Sequence, residues 1–221
     1  FISPFELFPD YQEEKTLREV IGNLPALREF GEISTTDIYH AFRVYPEHMR
    51  SWITDLKEGE SAFDQSDISK VPHKVVDGEI VVNIRKNGDK YRRQYWDKVG
   101  PCIHTRNDQL ASQNTIHPSD DRVFSIRELM MMMTIPSSFK WTNIPEQTLE
   151  KKRAFLKKEE IKIRQCLGEA VPTAIFDSIA EKIAFFFSRQ HLSDAEVKKL
   201  IDTTDLGTLD SVISYISANF D

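Results

Sequence analysis

The chain has 221 residues, of which 40% are hydrophobic and 29% charged, with a formal net charge of −6. That is enough apolar mass for one sizeable core or two small ones, at an ordinary charge content for a globular protein. No run approaches the ~20 apolar residues that span a bilayer, and the opening FISPFELFPD carries neither a basic segment nor a small-residue cleavage site, so neither a membrane partner nor a signal peptide is expected.

Phe1 as first residue suggests that something upstream is missing, whether a processed segment, a second subunit or a truncated part. The only cysteines, Cys102 and Cys166, fit a reducing, cytoplasmic setting and offer no Cys-x-x-Cys pair for a structural zinc. A disulfide between them stays open. The charge is unevenly spread. Residues 1–70 hold 7 Lys/Arg against 14 Asp/Glu, whereas residues 71–106 hold 8 against 4. A locally basic segment in an acidic chain can gather positive potential on one face; the bland alternative is a mixed, solvated surface.

In chain order, Thr35 or Thr36 can cap a helix in which Ile38, Phe42 and Tyr45 recur at helical spacing. Pro46 divides it from a second, with Met49, Trp52, Ile53 and Leu56, that Gly59 ends. After an extended KVPHK linker, Asp77-Gly78 and Asn87-Gly88 are turn dipeptides that bracket the β-branched run EIVVNIR. Three short strands are expected, the third being the basic, aromatic KYRRQYW. Residues 99–121 read as loop, with a short strand at Cys102 to Thr105. Ser125 and Glu128 make a capping box for SIRELMMMMTIP, which Pro136 stops; four consecutive Met cannot share one face, so this helix is expected to be buried on more than one side. A charged helix follows, ending at Gly168, then an apolar one with Pro172 near its first turn, then two more capped at Ser193 and near Thr208.

Candidate chemistry centres on residues 85–128. Cys102 has His104 on the same face of a strand, the minimum for an activated thiolate, but no third orienting group is evident and a structural Cys is the plainer reading. The chain has only eight Gly, and no Gly-rich phosphate loop. Binding fits better. Arg85, Lys86, Lys90, Arg92, Arg93, Lys98 and Arg106 lie within 22 residues, interleaved with Tyr91, Tyr95 and Trp96 and followed by Thr105, Asn107, Gln109, Ser112, Gln113, Asn114 and Thr115. Arg and Lys hold phosphates; Arg, Asn and Gln can also read base edges. The physics alone leaves DNA or RNA binding open against a solvated polar loop.

RVFSIRELMMMMTIPSSF resembles the ninth signature block of the DNA cytosine-5 methyltransferases, Arg-x-Leu-Thr-x-Arg-Glu-x-Ala-Arg-Leu-Gln-x-Phe-Pro. Arg122, Ser125, Arg127, Glu128, Met132 and Pro136 fall in register. Further on, CLGEAVP resembles the tenth block, Gln-Ile-Gly-Asn-Ala-Val-Pro, through Gly168, Ala170, Val171 and Pro172. The two blocks, in this order behind a basic β-rich region, extend the resemblance over residues 85–187. It departs from the family at Glu169 for Asn, Cys166 for Gln, and Met131 and Met133 for Arg and Gln, which are subfamily choices or marks of a degenerate enzyme.

The resemblance implies S-adenosylmethionine-dependent methylation of cytosine C5 in double-stranded DNA, of the bacterial restriction-modification type. In the family a Pro-Cys pair supplies the nucleophile to a flipped-out cytosine. That loop and the other catalytic blocks precede this region and are absent here; Pro101-Cys102 stands where the family puts its second recognition loop, so Cys102 is not the nucleophile. Arg92, Arg93, Gln94, Tyr95, Trp96 and Lys98 would form the first recognition loop. Ile103 to Asn114 would form the second, with Thr105, Arg106, Asn107 and Gln109 reading bases or phosphates. Arg122 and Arg127 would organise the recognition domain or grip backbone, with a salt bridge to Glu128 or a capping role as the alternative. Glu169, Ala170 and Val171 would border the cofactor.

The expected fold is α+β. Residues 1–70 form a helical lead-in and 71–145 a β-meander recognition region with the ninth-block helix. Residues 146–221 form helices that would complete an α/β methyltransferase domain. The implied partner is an N-terminal catalytic half, without which the chain is expected to be inactive and to hold the cofactor weakly. Self-association through Ile175, Ile179, Ile183 and Phe186, or docking of the tail helices onto that face, is expected. The alternatives are a specificity subunit of a split methyltransferase and a helical protein-interaction module.

Overall fold

A computed structural model of the chain describes residues 4–83, 88–141 and 148–189. They fall into two compact units, Glu13–Pro172 and a smaller one that joins residues 4–12 to residues 173–189. The elements are α1 (Leu17–Ile21), α2 (Glu47–Ser51), a hairpin of β1 (His73–Val76) and β2 (Glu79–Val82), α3 (Ile126–Met132), α4 (Leu149–Glu169) and α5 (Thr173–Arg189). Helices with a small two-stranded antiparallel sheet agree with the α+β expectation.

The hairpin turns at Asp77-Gly78, where both residues adopt the positive φ that a tight turn demands. The third strand is not a ladder. Residues 90–93 touch their neighbours through single bridges, Lys90 to Gln113, Arg92 to Ser61 and Arg93 to Ile116. Asn87 lies outside the described residues, as do Arg85, Lys86 and the helices expected from Ser193 onward. No strand forms at Cys102 to Thr105 either.

The helix expected from Thr35 does not form: residues 34–45 are turns and a bridge, with Ser34 N donating to His40 O and Phe42 N to Glu32 O. The physical reason lies in the larger unit's two cores. Tyr39 belongs to the first, with Leu17, Ile21, Phe124, Leu129, Met130, Leu156 and Leu167. Tyr45 belongs to the second, with Trp52, Ile53, Tyr91, Leu110, Ile116 and Val123. Ile38 also packs against the first, and a helix would have aimed Ile38 and Tyr45, seven residues apart, the same way. After Pro46 only a short helix follows, α2, and it ends at Ser51, well before Gly59.

The capping box at α3 forms as expected. Ser125 Oγ accepts from Glu128 N at 3.2 Å, and Glu128 Oε2 accepts from Ser125 N at 2.6 Å. Met130 and Met133 are buried and Met131 and Met132 half-buried against the first core, so the helix is enclosed on several sides. The apolar positions taken by Met131 and Met133 are where the family pattern has Arg and Gln. Thr148 caps α4, which runs one residue past Gly168. In the smaller unit, Lys182 Nζ donates to Phe8 O at 2.6 Å and pairs with Asp10 at 2.8 Å.

Candidate nucleic-acid interface

The polar stretch is laid over a buried ion-pair box. Arg122, 1% exposed, makes two parallel bonds to Glu128, Nη1 to Oε2 at 2.7 Å and Nη2 to Oε1 at 2.8 Å. Its Nε donates to Asp120 at 2.9 Å. Burial by itself pushes the Glu128 carboxyl up, but the Arg122 guanidinium against it wins and holds it far below the usual carboxylate range. His40 Nδ1 meets the capping Ser125 hydroxyl at 2.9 Å. His117 closes the box with Nε2 3.5 Å from Glu128. Burial favours its neutral ring and lowers its pKa to about 4, against opposing pulls from Glu128 and Asp120. Its Nδ1 accepts from Asp120 N at 3.0 Å, which also requires an unprotonated nitrogen there.

Several residues expected to meet DNA are held inside. Arg93 donates to Ile53 O at 2.9 Å, Asp120 O at 3.0 Å and His117 O at 3.1 Å, and it pairs with Asp121. Gln94 is buried, its amide donating to Arg92 O at 3.2 Å. Arg127 pairs with Asp37 beside the Tyr39 ring. For Arg122, the salt bridge to Glu128 is the geometry observed. Asn107, 3% exposed, is bonded to α4.

Others face outward. Thr105 and Arg106 are exposed, Arg106 with 64% of its side chain free, and its nearest carboxylate is Asp108 at 3.8 Å. Lys98 is exposed, its ammonium 3.8 Å from the Tyr95 ring centroid. Tyr95 in turn covers Gly59: a Cβ there would lie 1.9 Å from the phenol oxygen and push the ring aside, and the φ of +80° at this position strains any L side chain. Arg92 is half-buried and donates to Gly88 O at 2.7 Å and Gly59 O at 2.5 Å. Gln109 is half-buried, its carbonyl accepting from Thr115.

The backbone brings two parts of this surface side by side. Lys90 bridges Gln113, and His104 Nε2 sits 3.0 Å from Gln113 O while its Nδ1 accepts from Arg106 N at 3.2 Å. Lys90, Gln113, Thr105 and Arg106 therefore line one edge. Lys98 is placed by α1: Leu17 N donates to Lys98 O and Arg18 N to Trp96 O, both at 2.9 Å, so the carbonyls of this segment satisfy the helix's free N-terminal amides.

Glu169 accepts from Gln165 Nε2 at 2.9 Å and is exposed, as are Ala170 and Val171. Cys102 and Cys166 are both free and exposed. Among the described residues no cluster of His, Cys, Asp or Glu could hold a metal, and no helix is long and apolar enough to cross a membrane. Sequence reasoning passed over Arg164, buried against Asn107, and Arg43, paired with Glu160 at 2.7 Å. The signal for Arg164 was its register: it shares a helix stripe with Leu156, Glu160 and Leu167.

The chain is similar to the type II methyltransferase M1.HgaI of Avibacterium volantium, 32% identical over 184 residues, covering 79% of this chain and 46% of that protein. It is also similar to the type II methylase M.HgiDII of Herpetosiphon aurantiacus, 28% identical over 177 residues, covering 80% of this chain and 45% of that one. The chain thus spans less than half the length of these curated relatives. The model of one family, the C-5 cytosine-specific DNA methylases, matches residues 4–184, and the chain belongs to that family.

Proposed function

We propose that this chain is the target-recognition part of a type II DNA cytosine-5 methyltransferase, with the closing helices of its catalytic domain, and that it reads duplex DNA without performing chemistry by itself. The observation that carries this reading is the contrast within one polar stretch. Arg122, Arg93 and Asn107 are locked inside, while Lys90, Thr105, Arg106 and Gln113 face solvent along one edge and Lys98 faces solvent beside α1. Phosphate-holding cations beside short polar side chains suit backbone positioning combined with base reading. Arg92, Tyr95 and Gln109 flank this edge. Gln94 supports it from within, as Arg127 does.

The family's methyl donor is S-adenosylmethionine. Glu169, Ala170 and Val171 are exposed side by side at the end of α4 and supply at most one border. A ligand of that size needs most of its surface enclosed, so the described residues do not by themselves fit it. A catalytic half must bring the pocket and the nucleophile. Of the face expected to self-associate, Ile175 is exposed while Ile179, Ile183 and Phe186 are half-buried; exposed Ile175, with Phe176 beside it, supports docking of that half, or self-association, through this helix.

The test is duplex binding by fluorescence anisotropy at ~50 and ~200 mM salt, where release of counterions from several phosphates predicts a steep loss of affinity. Affinity that ignores salt, or no binding at low salt, would contradict the reading. Methyl transfer by the chain alone would contradict its inactivity.

A further inference from the structure

The loop carrying Thr105 and Arg106 is seated on the last turns of α4. Arg164, 2% exposed, donates from Nη1 to both Asn107 O and Asn107 Oδ1 at 3.3 Å. The Asn107 amide donates back to Arg164 O at 2.8 Å and to His104 O at 2.7 Å. Glu160 fixes the arginine through Nε at 2.8 Å and accepts from Arg43 at 2.7 Å, and Arg43 lies 3.9 Å from Asp108. One turn beyond Arg164, Gly168 lets the helix touch the His104–Thr105 peptide. A Cβ at Gly168 would lie 2.4 Å from both His104 C and Thr105 N. That contact is with backbone, so no side chain can swing aside to relieve it.

We infer that Asn107, Arg164 and Gly168 are positioning residues that set where Thr105 and Arg106 stand against DNA, so that α4 governs what this loop reads. The inference rests on the recognition reading above. Residues 102–104 have no strand ladder to fix them, so beside the His104–Gln113 bond the loop is held by these contacts to α4. Asn107 is too buried to reach a base, yet it lies next to Arg106, and a displacement at its anchor passes along the chain. Recognition tolerates only about half an ångström of such displacement.

The test uses the full chain. A preferred duplex is first selected from a randomised pool, and the ratio of its affinity to that of a random duplex is then measured. Gly168→Ala, which forces the His104–Thr105 peptide outward, is expected to lower that ratio about tenfold, the worth of one well-placed base contact, with the salt slope on random duplex unchanged. Asn107→Ala removes three side-chain bonds, to His104 O, Arg164 O and Arg164 Nη1, without adding bulk and is expected to act in the same direction; urea unfolding confirms that each variant is folded. A purely structural role would weaken both duplexes by the same factor. An unchanged ratio in a folded variant therefore overturns the inference and leaves the recognition reading standing. Wild-type chain that holds neither duplex at low salt overturns both.

Discussion

Arg122 and Arg106 come from the same polar stretch and end in opposite environments. The first has 1% of its side chain exposed and two carboxylates on it; the second has 64% exposed and no carboxylate nearer than 3.8 Å. Residue type does not separate them. What does is the helix that follows Arg122, whose capping box already places Glu128 at the start of α3, so the arginine can pair without any long-range search. The carboxylate local to Arg106, Asp108, makes only a loose pair with it at 3.8 Å, and no helix cap locks the two together, so Arg106 is left facing water. The stretch is thus a support and a surface, and each can be broken separately.

Removing the support should have the largest effect. Glu128→Ala leaves a buried guanidinium with Asp120 alone and opens the cap on Ser125, a loss of about 3–5 kcal/mol by analogy with other broken buried pairs. Urea unfolding would show it as a lower midpoint; a loss under ~1 kcal/mol would mean that water reaches the pair. Arg93→Ala should be costly in the same way and leave the salt dependence of any DNA binding unchanged, because Arg93 is spent on Ile53, His117, Asp120 and Asp121.

Acid should weaken the same support through His117. Its pKa falls from 6.5 to about 4 on folding, so the unfolded chain binds more protons between those values. The stabilisation is complete above pH 6.5 and drains as pH falls toward 4, amounting to about 2 kcal/mol lost by pH 5. Glu128 adds nothing in that window: its depressed carboxyl stabilises the fold above the ordinary carboxylate range and loses that contribution only in stronger acid. The urea midpoint should therefore fall between pH 7 and pH 5, and His117→Asn should flatten the fall. A midpoint indifferent to pH would place a charged His117 in the box.

How much of this was legible depends on the range of the contacts. The Ser125–Glu128 cap and the Asp77-Gly78 turn are local, and both could be read from a few neighbouring residues. The failure at residues 90–96 is one of partners: a basic, aromatic run has strand composition, but its bridges go singly to Ser61, Gln113 and Ile116, which no local pattern encodes. Gly168 misled in a different way. A glycine near a helix end resembles a stop, whereas here it is a point of close approach inside the last turn. The polar stretch was legible as a candidate surface, but burial was not. Arg92, Arg93 and Gln94 follow one another, and the fold keeps the first half-exposed and hides the next two.

The surface should break more gently. Lys98→Ala and Arg106→Ala are each expected to leave stability within ~0.5 kcal/mol and to reduce the salt slope of duplex binding by about 0.9, one phosphate contact apiece. If Arg93→Ala changed the slope and Arg106→Ala did not, the assignment of support and surface would be reversed.

The smallest effect expected is at Cys102, where Cys102→Ser should change neither stability nor duplex affinity. A thiol nucleophile needs a base with a free nitrogen, and the neighbouring His104 has none to give. Its Nδ1 accepts from Arg106 N, and its Nε2 is engaged by Gln113 O. The thiol itself is exposed and has only a 4.0 Å contact with Ile103 O. The serine variant, supplied with a catalytic half bearing the family's Pro-Cys loop, should support methyl transfer at the wild-type rate. Lost turnover with duplex binding intact would make Cys102 part of the chemistry, and the division into a reading part and a catalytic part would fail.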